Sequence, residues 1–245
     1  MLFIGAGKVW SIASCFCIYS RLFIDYVCIF YYLYRKIRMN LIEDIGVIPV
    51  DFSAISNFIG NFKAPKDKIS KLEKSGKFIR LKKGLFVLSP EYSKKKISKE
   101  LVANHLLGPS YISLESALAY YGIIPERAYT TRSVTIKRKK AFSTPLGTFE
   151  YLSVPNAYFP IGIKNELINS SFAFLIATPE KALCDLIITT SYLRIQSKKA
   201  MLEYLTEDLR IDLSSKPFSD LVILEECIET GRKKRELKIL YELIR

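Results

Sequence analysis

Between residues 50 and 92 the spacing of apolar positions changes twice. In "VDFSAISNFIG" (50–60), Phe52, Ile55, Phe58 and Ile59 recur at helical intervals; Asp51 or Ser53 can cap the start and Gly60 can end it. In "APKDKISKLEKSG" (64–76), Pro65 suits a first helical turn, Ile69 and Leu72 share a face, and Gly76 suits the C-terminal cap. "KFIRLKKGLFVLS" (77–89) then alternates, which predicts a hairpin with strands near Lys77–Lys82 and Leu85–Leu88 around a Lys83-Gly84 turn. Ile79, Leu81, Leu85 and Val87 are expected to lie beneath the two helices. Arg80, Lys82 and Lys83 would then point outward.

Further along, "SPEYSKKKISKE" is a polar link. "ISKELVANHLLG" and "SLESALAYYG" predict two short helices, the second capped by Ser113. "RSVTIKRKKAFSTPLGTFEYLSV" reads as two strands around a Pro145–Gly147 turn. "FAFLIATPEKALCDLIITT" is a strand running into a helix, with Thr178 as cap, Pro179 in the first turn and Glu180 complementing the N-terminus. The remainder, "SKKAMLEYLTEDL", "FSDLVILEECIETG" and "RKKRELKILYELIR", is helical in pattern.

Charge sharpens this picture. The chain carries 37 Lys+Arg against 24 Asp+Glu, a formal charge of +13. That surplus implies an anionic partner, although a generally lysine-rich composition would produce it too. Between residues 39 and 97, twelve Lys/Arg face six Asp/Glu, so the excess is concentrated where the helix pair and hairpin lie. Two helices followed by a basic hairpin is the element order of a winged helix-turn-helix, in which the second helix enters the major groove and the hairpin tracks the backbone. Lys63, Lys66, Lys68, Ser70, Lys71 and Lys74 would serve the helix, and Arg80, Lys82 and Lys83 the wing, each cation able to displace a counterion from DNA. A solvated hairpin guarded by lysines explains the hairpin alone, not the lysine-lined helix before it. "SVTIKRKKAF" (133–142) adds a second basic strand, whose Lys137, Arg138, Lys139 and Lys140 are either a second nucleic-acid contact or a solvated edge.

The first 38 residues differ in kind. Val9 to Tyr34 is long and apolar enough for a membrane span, but Arg21 and Asp25 interrupt it. Three readings stand: a leader outside the native product, which then starts at Met39; an inner-membrane anchor through residues 9–34, with Arg35–Arg38 on the cytoplasmic side; or an additional apolar N-terminal helix. The first makes the protein cytoplasmic. Five cysteines without a CxxC pair, and a single histidine, offer neither a disulfide framework nor a structural zinc site.

Candidate chemistry is sparse. His105 sits in a helical context without a second ligand, and Cys184 lies on an apolar face without an adjacent base. Glu180 and Asp185 fall on different helix faces. Glu126, Arg127 and Arg132 read as surface or partner contacts. No Walker loop, GxGxxG, HExxH or GxSxG is present. Neither catalytic residue, metal nor cofactor is expected.

Two blocks together, "YISLESALAYYGIIPERAYTTRSVTIKRKKAFSTPLGTFEYLSVP" (111–155) and "FLIATPEKALCDLI" (174–187), resemble the AbiEi-type antitoxins of type IV toxin–antitoxin, or abortive-infection, systems. "IRLKKGLFVL" resembles the strand that ends their N-terminal winged helix, with Phe86 where Tyr is common. The resemblance covers nearly everything after Met39 and weakens over about the last fifty residues. It implies an α+β protein with a winged helix-turn-helix at 39–92 and a mixed α/β antitoxin domain at 93–245, preceded here by the apolar segment 1–38. It implies a transcriptional autorepressor and antitoxin, binding double-stranded DNA at its own promoter and countering a nucleotidyltransferase-like toxin, direct toxin binding not assumed. The alternatives are a nucleic-acid-processing enzyme using carboxylates of the second domain, and a membrane-anchored regulator.

Overall fold

A computed structural model of the chain describes residues 46–59, 64–125, 129–213 and 218–245. The apolar segment 1–38, Met39, Gly60, Lys63, Glu126 and Arg127 lie outside them. Among the described residues the protein is mixed α+β, with two sheets.

The first sheet has three antiparallel strands in the order β1-β3-β2: β1 (Val50–Asp51), β2 (Phe78–Lys82) and β3 (Leu85–Leu88). Between β1 and β2 run α1 (Phe52–Ile59) and α2 (Pro65–Lys74). The Asp51 carboxylate settles the start of α1, accepting from the Ala54 backbone N–H at 2.7 Å and the Ser53 hydroxyl at 2.8 Å. Gly76, at φ 72°, lets the chain leave α2 and turn into β2.

Both faces of this sheet are apolar, and they go to different cores. Phe78, Phe86 and Leu88 lie beneath the helices with Ile55 and Ile69. Leu81, Leu85 and Val87 join the larger core of the chain, with Ile79 packed against it. The expected burial of those four beneath the helices is therefore reversed. Alternation assigns residues to a common face, but the cover over each face is set by the rest of the fold.

After α3 (Pro90–Ser93) comes α4 (Lys99–Leu106), capped by the Ser98 hydroxyl, which accepts from Leu101 N–H at 3.1 Å. The second sheet has six strands in the order β6-β7-β5-β4-β9-β8. These are β4 (Ser110–Ile112), β5 (Thr130–Thr135), β6 (Lys140–Thr144), β7 (Gly147–Ser153), β8 (Ile163–Ile168) and β9 (Phe172–Ala177). β5 pairs parallel with β7, and β6 pairs antiparallel with β7 as the outer edge. The segment expected to hold two strands thus holds three. The chain must pass β7's position to reach the edge, so the basic strand predicted at 133–142 is broken at Ile136–Lys139.

Helix α5 (Leu114–Tyr120) packs on β5 and α6 (Pro179–Thr189) on β9, while α8 (Leu221–Thr230) and α9 (Lys234–Ile244) pack on α6; α7 (Lys198–Glu203) packs on α9 and continues into a π-helical turn, Tyr204–Asp208. α6 touches β9, α5, α8 and α9, and every residue from Glu180 to Ile188 is buried. Thr178 caps it, accepting from Lys181 N–H at 3.3 Å. Ser113 does not cap α5: its hydroxyl donates instead to Asp185 Oδ2 at 2.6 Å, because a buried carboxylate has no water to turn to. Within the described residues no helix is long and apolar enough to cross a membrane.

Candidate nucleic-acid interface

Helix α2 buries Ile69 and half-buries Pro65 and Leu72, which turns the opposite side to solvent. Lys66, Lys68, Lys71 and Lys74 are all exposed. At about 100° per residue, Lys66, Ser70, Lys71 and Lys74 lie on one broad face and Lys68 on its far flank. The turn between β2 and β3 stands beside this helix. Gly84 (φ 79°) closes the turn, and its carbonyl accepts from Phe52 N–H at 2.9 Å, tying the tip to the start of α1.

Lys66, Ser70, Arg80 and Lys83 line one cleft of about 350 Å³, floored by Phe52, Ile69 and Phe86. Four residues singled out in the sequence thus come together on a single concave surface. Arg80 lies 5.4 Å above the Phe86 ring centroid, and its guanidinium meets Glu73 at 2.5 Å. Glu73 gave no signal in the sequence as a partner, because it lies seven positions from Arg80, outside helical or strand spacing.

Lys82 is not on this cleft. The β2–β3 register shifts between Arg80 and Lys82, so that Lys82 pairs with Leu85 where regular alternation would pair Leu81. The bulge turns Lys82 to the opposite face. There its ammonium donates to the carbonyl of Leu106 at 2.5 Å, at the C-terminal end of α4. The Lys137 ammonium donates to the neighbouring Gly108 carbonyl. Lys82 and Lys140 flank one ring, 6.0 and 4.9 Å from the Phe142 centroid. Strand β2 and the second basic segment therefore meet through Phe142, which the sequence did not single out.

Burial lowers the Lys82 ammonium below its ordinary pKa, and the like charges of Lys140 and Lys137 lower it further. His105, on α4, is lowered by burial first and by Lys82 second. A negative group placed here would relieve that repulsion. Lys139 reaches Glu150 at 3.5 Å, and Arg138 is exposed on the same loop.

Arg132, read as a surface or partner contact, is engaged within the chain: it meets Glu115 at 2.7 Å and Glu150 at 3.2 Å. Glu180 accepts from the backbone N–H groups of Ser219 and Asp220, holding the entry to α8. Cys184 and Cys227 are buried free thiols. No protein-family model and no curated protein matches the sequence.

Proposed function

We propose that the β1-α1-α2-β2-β3 unit is a winged helix that binds duplex DNA, with α2 as the recognition helix and the β2–β3 turn as the wing. The single observation that carries this reading is the cleft where Lys66, Ser70, Arg80 and Lys83 converge between α2 and the turn. The strand order β1-β3-β2 around a helix pair supports it. On this reading Lys66, Ser70, Lys71, Lys74 and Lys83 meet the duplex, the cations on its phosphates.

On this reading and on the resemblance of residues 111–155 and 174–187 to AbiEi-type antitoxins, the protein is a non-catalytic transcriptional autorepressor and antitoxin. It acts at its own promoter and counters a nucleotidyltransferase-like toxin. The deciding experiment titrates the full chain onto its upstream duplex across a range of salt concentrations. Lys66→Ala with Lys83→Ala should weaken binding to every sequence and flatten the log K against log salt slope by about 0.9 for each lost phosphate contact. Lys82→Ala alone should change it less. Equal slopes for parent and Lys66/Lys83 variant would overturn the assignment. Growth rescue on co-expression with the neighbouring nucleotidyltransferase-like gene product tests the antitoxin role.

A further inference from the structure

At the other end of the large sheet, β8 is the last strand, and its outer edge has no pairing strand among the described residues. Edge strands usually carry a lysine or a proline that discourages pairing. Here the guard is incomplete. β8 reads Ile163-Lys164-Asn165-Glu166-Leu167-Ile168, so Lys164 is matched two positions on by the opposite charge. Leu167 is 62% exposed, and Leu175, on the same sheet face of the adjoining β9, is 39% exposed.

We infer that β8 pairs antiparallel with β8 of a second copy of this chain, about a two-fold axis at Asn165. The register follows from the sequence of the strand. Centring on Asn165 sets Lys164 opposite the second copy's Glu166, and Glu166 opposite its Lys164, on one face. Ile163 and Leu167 meet their counterparts on the other face. Each pairing occurs twice, as an isologous contact requires. Shifting the centre to residue 164 or 166 places like charges against each other, or a charge against an apolar side chain. The edge is therefore complementary to its own copy in this one register. This inference is independent of what the basic face binds.

Sedimentation equilibrium of the full chain tests it. The parent should dimerise. Lys164→Glu and Glu166→Lys should each weaken self-association about tenfold, since two opposite-charge pairs become two like-charge pairs. The double variant K164E/E166K should return to within about threefold of the parent. A chain that is monomeric at 100 micromolar (about a hundred-fold above a Kd in the low micromolar range) overturns the inference. So does a dimer indifferent to the single reversals, or one that the double reversal fails to restore. Oxidative cross-linking gives a second readout. Asn165→Cys should form a disulfide-linked dimer well above the parent's background, while Lys164→Cys should not, because only residue 165 faces itself. Equal cross-linking of the two excludes this register.

Discussion

Lys181 and Asp185 face each other across one turn of α6, ammonium to carboxylate at 3.5 Å, with neither side chain exposed. The Lys181 ammonium also donates to the Tyr158 carbonyl at 2.8 Å and lies 3.0 Å from the centroid of the Tyr158 ring. Asp185 takes the Ser113 hydroxyl on its other oxygen. Burial raises the Asp185 pKa, and Lys181 and Ser113 oppose that rise. A pair held this way costs desolvation to assemble, but costs more when halved, because the survivor is a charge without a counterpart.

Lys181→Met or Asp185→Leu alone should therefore destabilise the protein by about 3–5 kcal/mol, while the double replacement should cost much less than the sum. Urea denaturation of the three variants measures it. Additive losses would mean that the two side chains act separately.

Glu73, on α2, restrains Arg80, on β2. The pair is partly exposed, Arg80 about half and Glu73 less, and contributes under about 1 kcal/mol to stability. Glu73→Gln should leave the unfolding midpoint nearly unchanged. If the unit binds duplex DNA as proposed, the same change should tighten that binding and steepen the salt slope by about 0.9, with Arg80 released to a phosphate. Titrations at two salt concentrations suffice to measure this.

His105 titrates below its ordinary value of 6.5 through burial and the nearby Lys82. The unfolded chain then takes up this proton more readily than the folded one. The associated stability is present above about pH 6.5 and is lost as the pH falls through the folded-state value. His105→Gln should flatten the pH dependence of stability in that window. Lys82→Met should move the His105 titration upward, a shift followed by NMR.

Gly84 and Gly162 both sit at positive φ, 79° and 59°, yet alanine should affect them differently. At Gly84 an added Cβ meets open space, so only backbone strain of about 1–2 kcal/mol is expected. At Gly162 the same atom would lie 2.8 Å from Lys181 Cβ and 3.0 Å from Ile223 Cγ2. Gly162→Ala should be the more destabilising in a denaturant melt, because α6 and α8 must separate to admit it.

Short-range information was enough for most elements. The apolar periods located α1, α2, β2, β3 and α6. The caps at Asp51 and Thr178 are local hydrogen bonds that their own segments dictate. The helical period nominates Lys66 and Ser70 for an exposed face of α2, but Arg80 joins them only because the sheet turns its Phe78–Phe86 face, and not the Ile79–Leu81 face, toward the helices. The companion residues could not be nominated. Lys82 leaves that surface through a bulge that depends on how β2 registers with β3, and Phe142 becomes its neighbour only because β6 lies on the sheet edge. Ser113 gives up its expected cap for a carboxylate 72 positions away. Lys181 and Asp185 read as ordinary helix charges until four elements enclose them. Periodicity decides which side chains share a face. What covers that face, and hence whether a charge meets water or a partner, is decided by contacts between segments far apart in the chain.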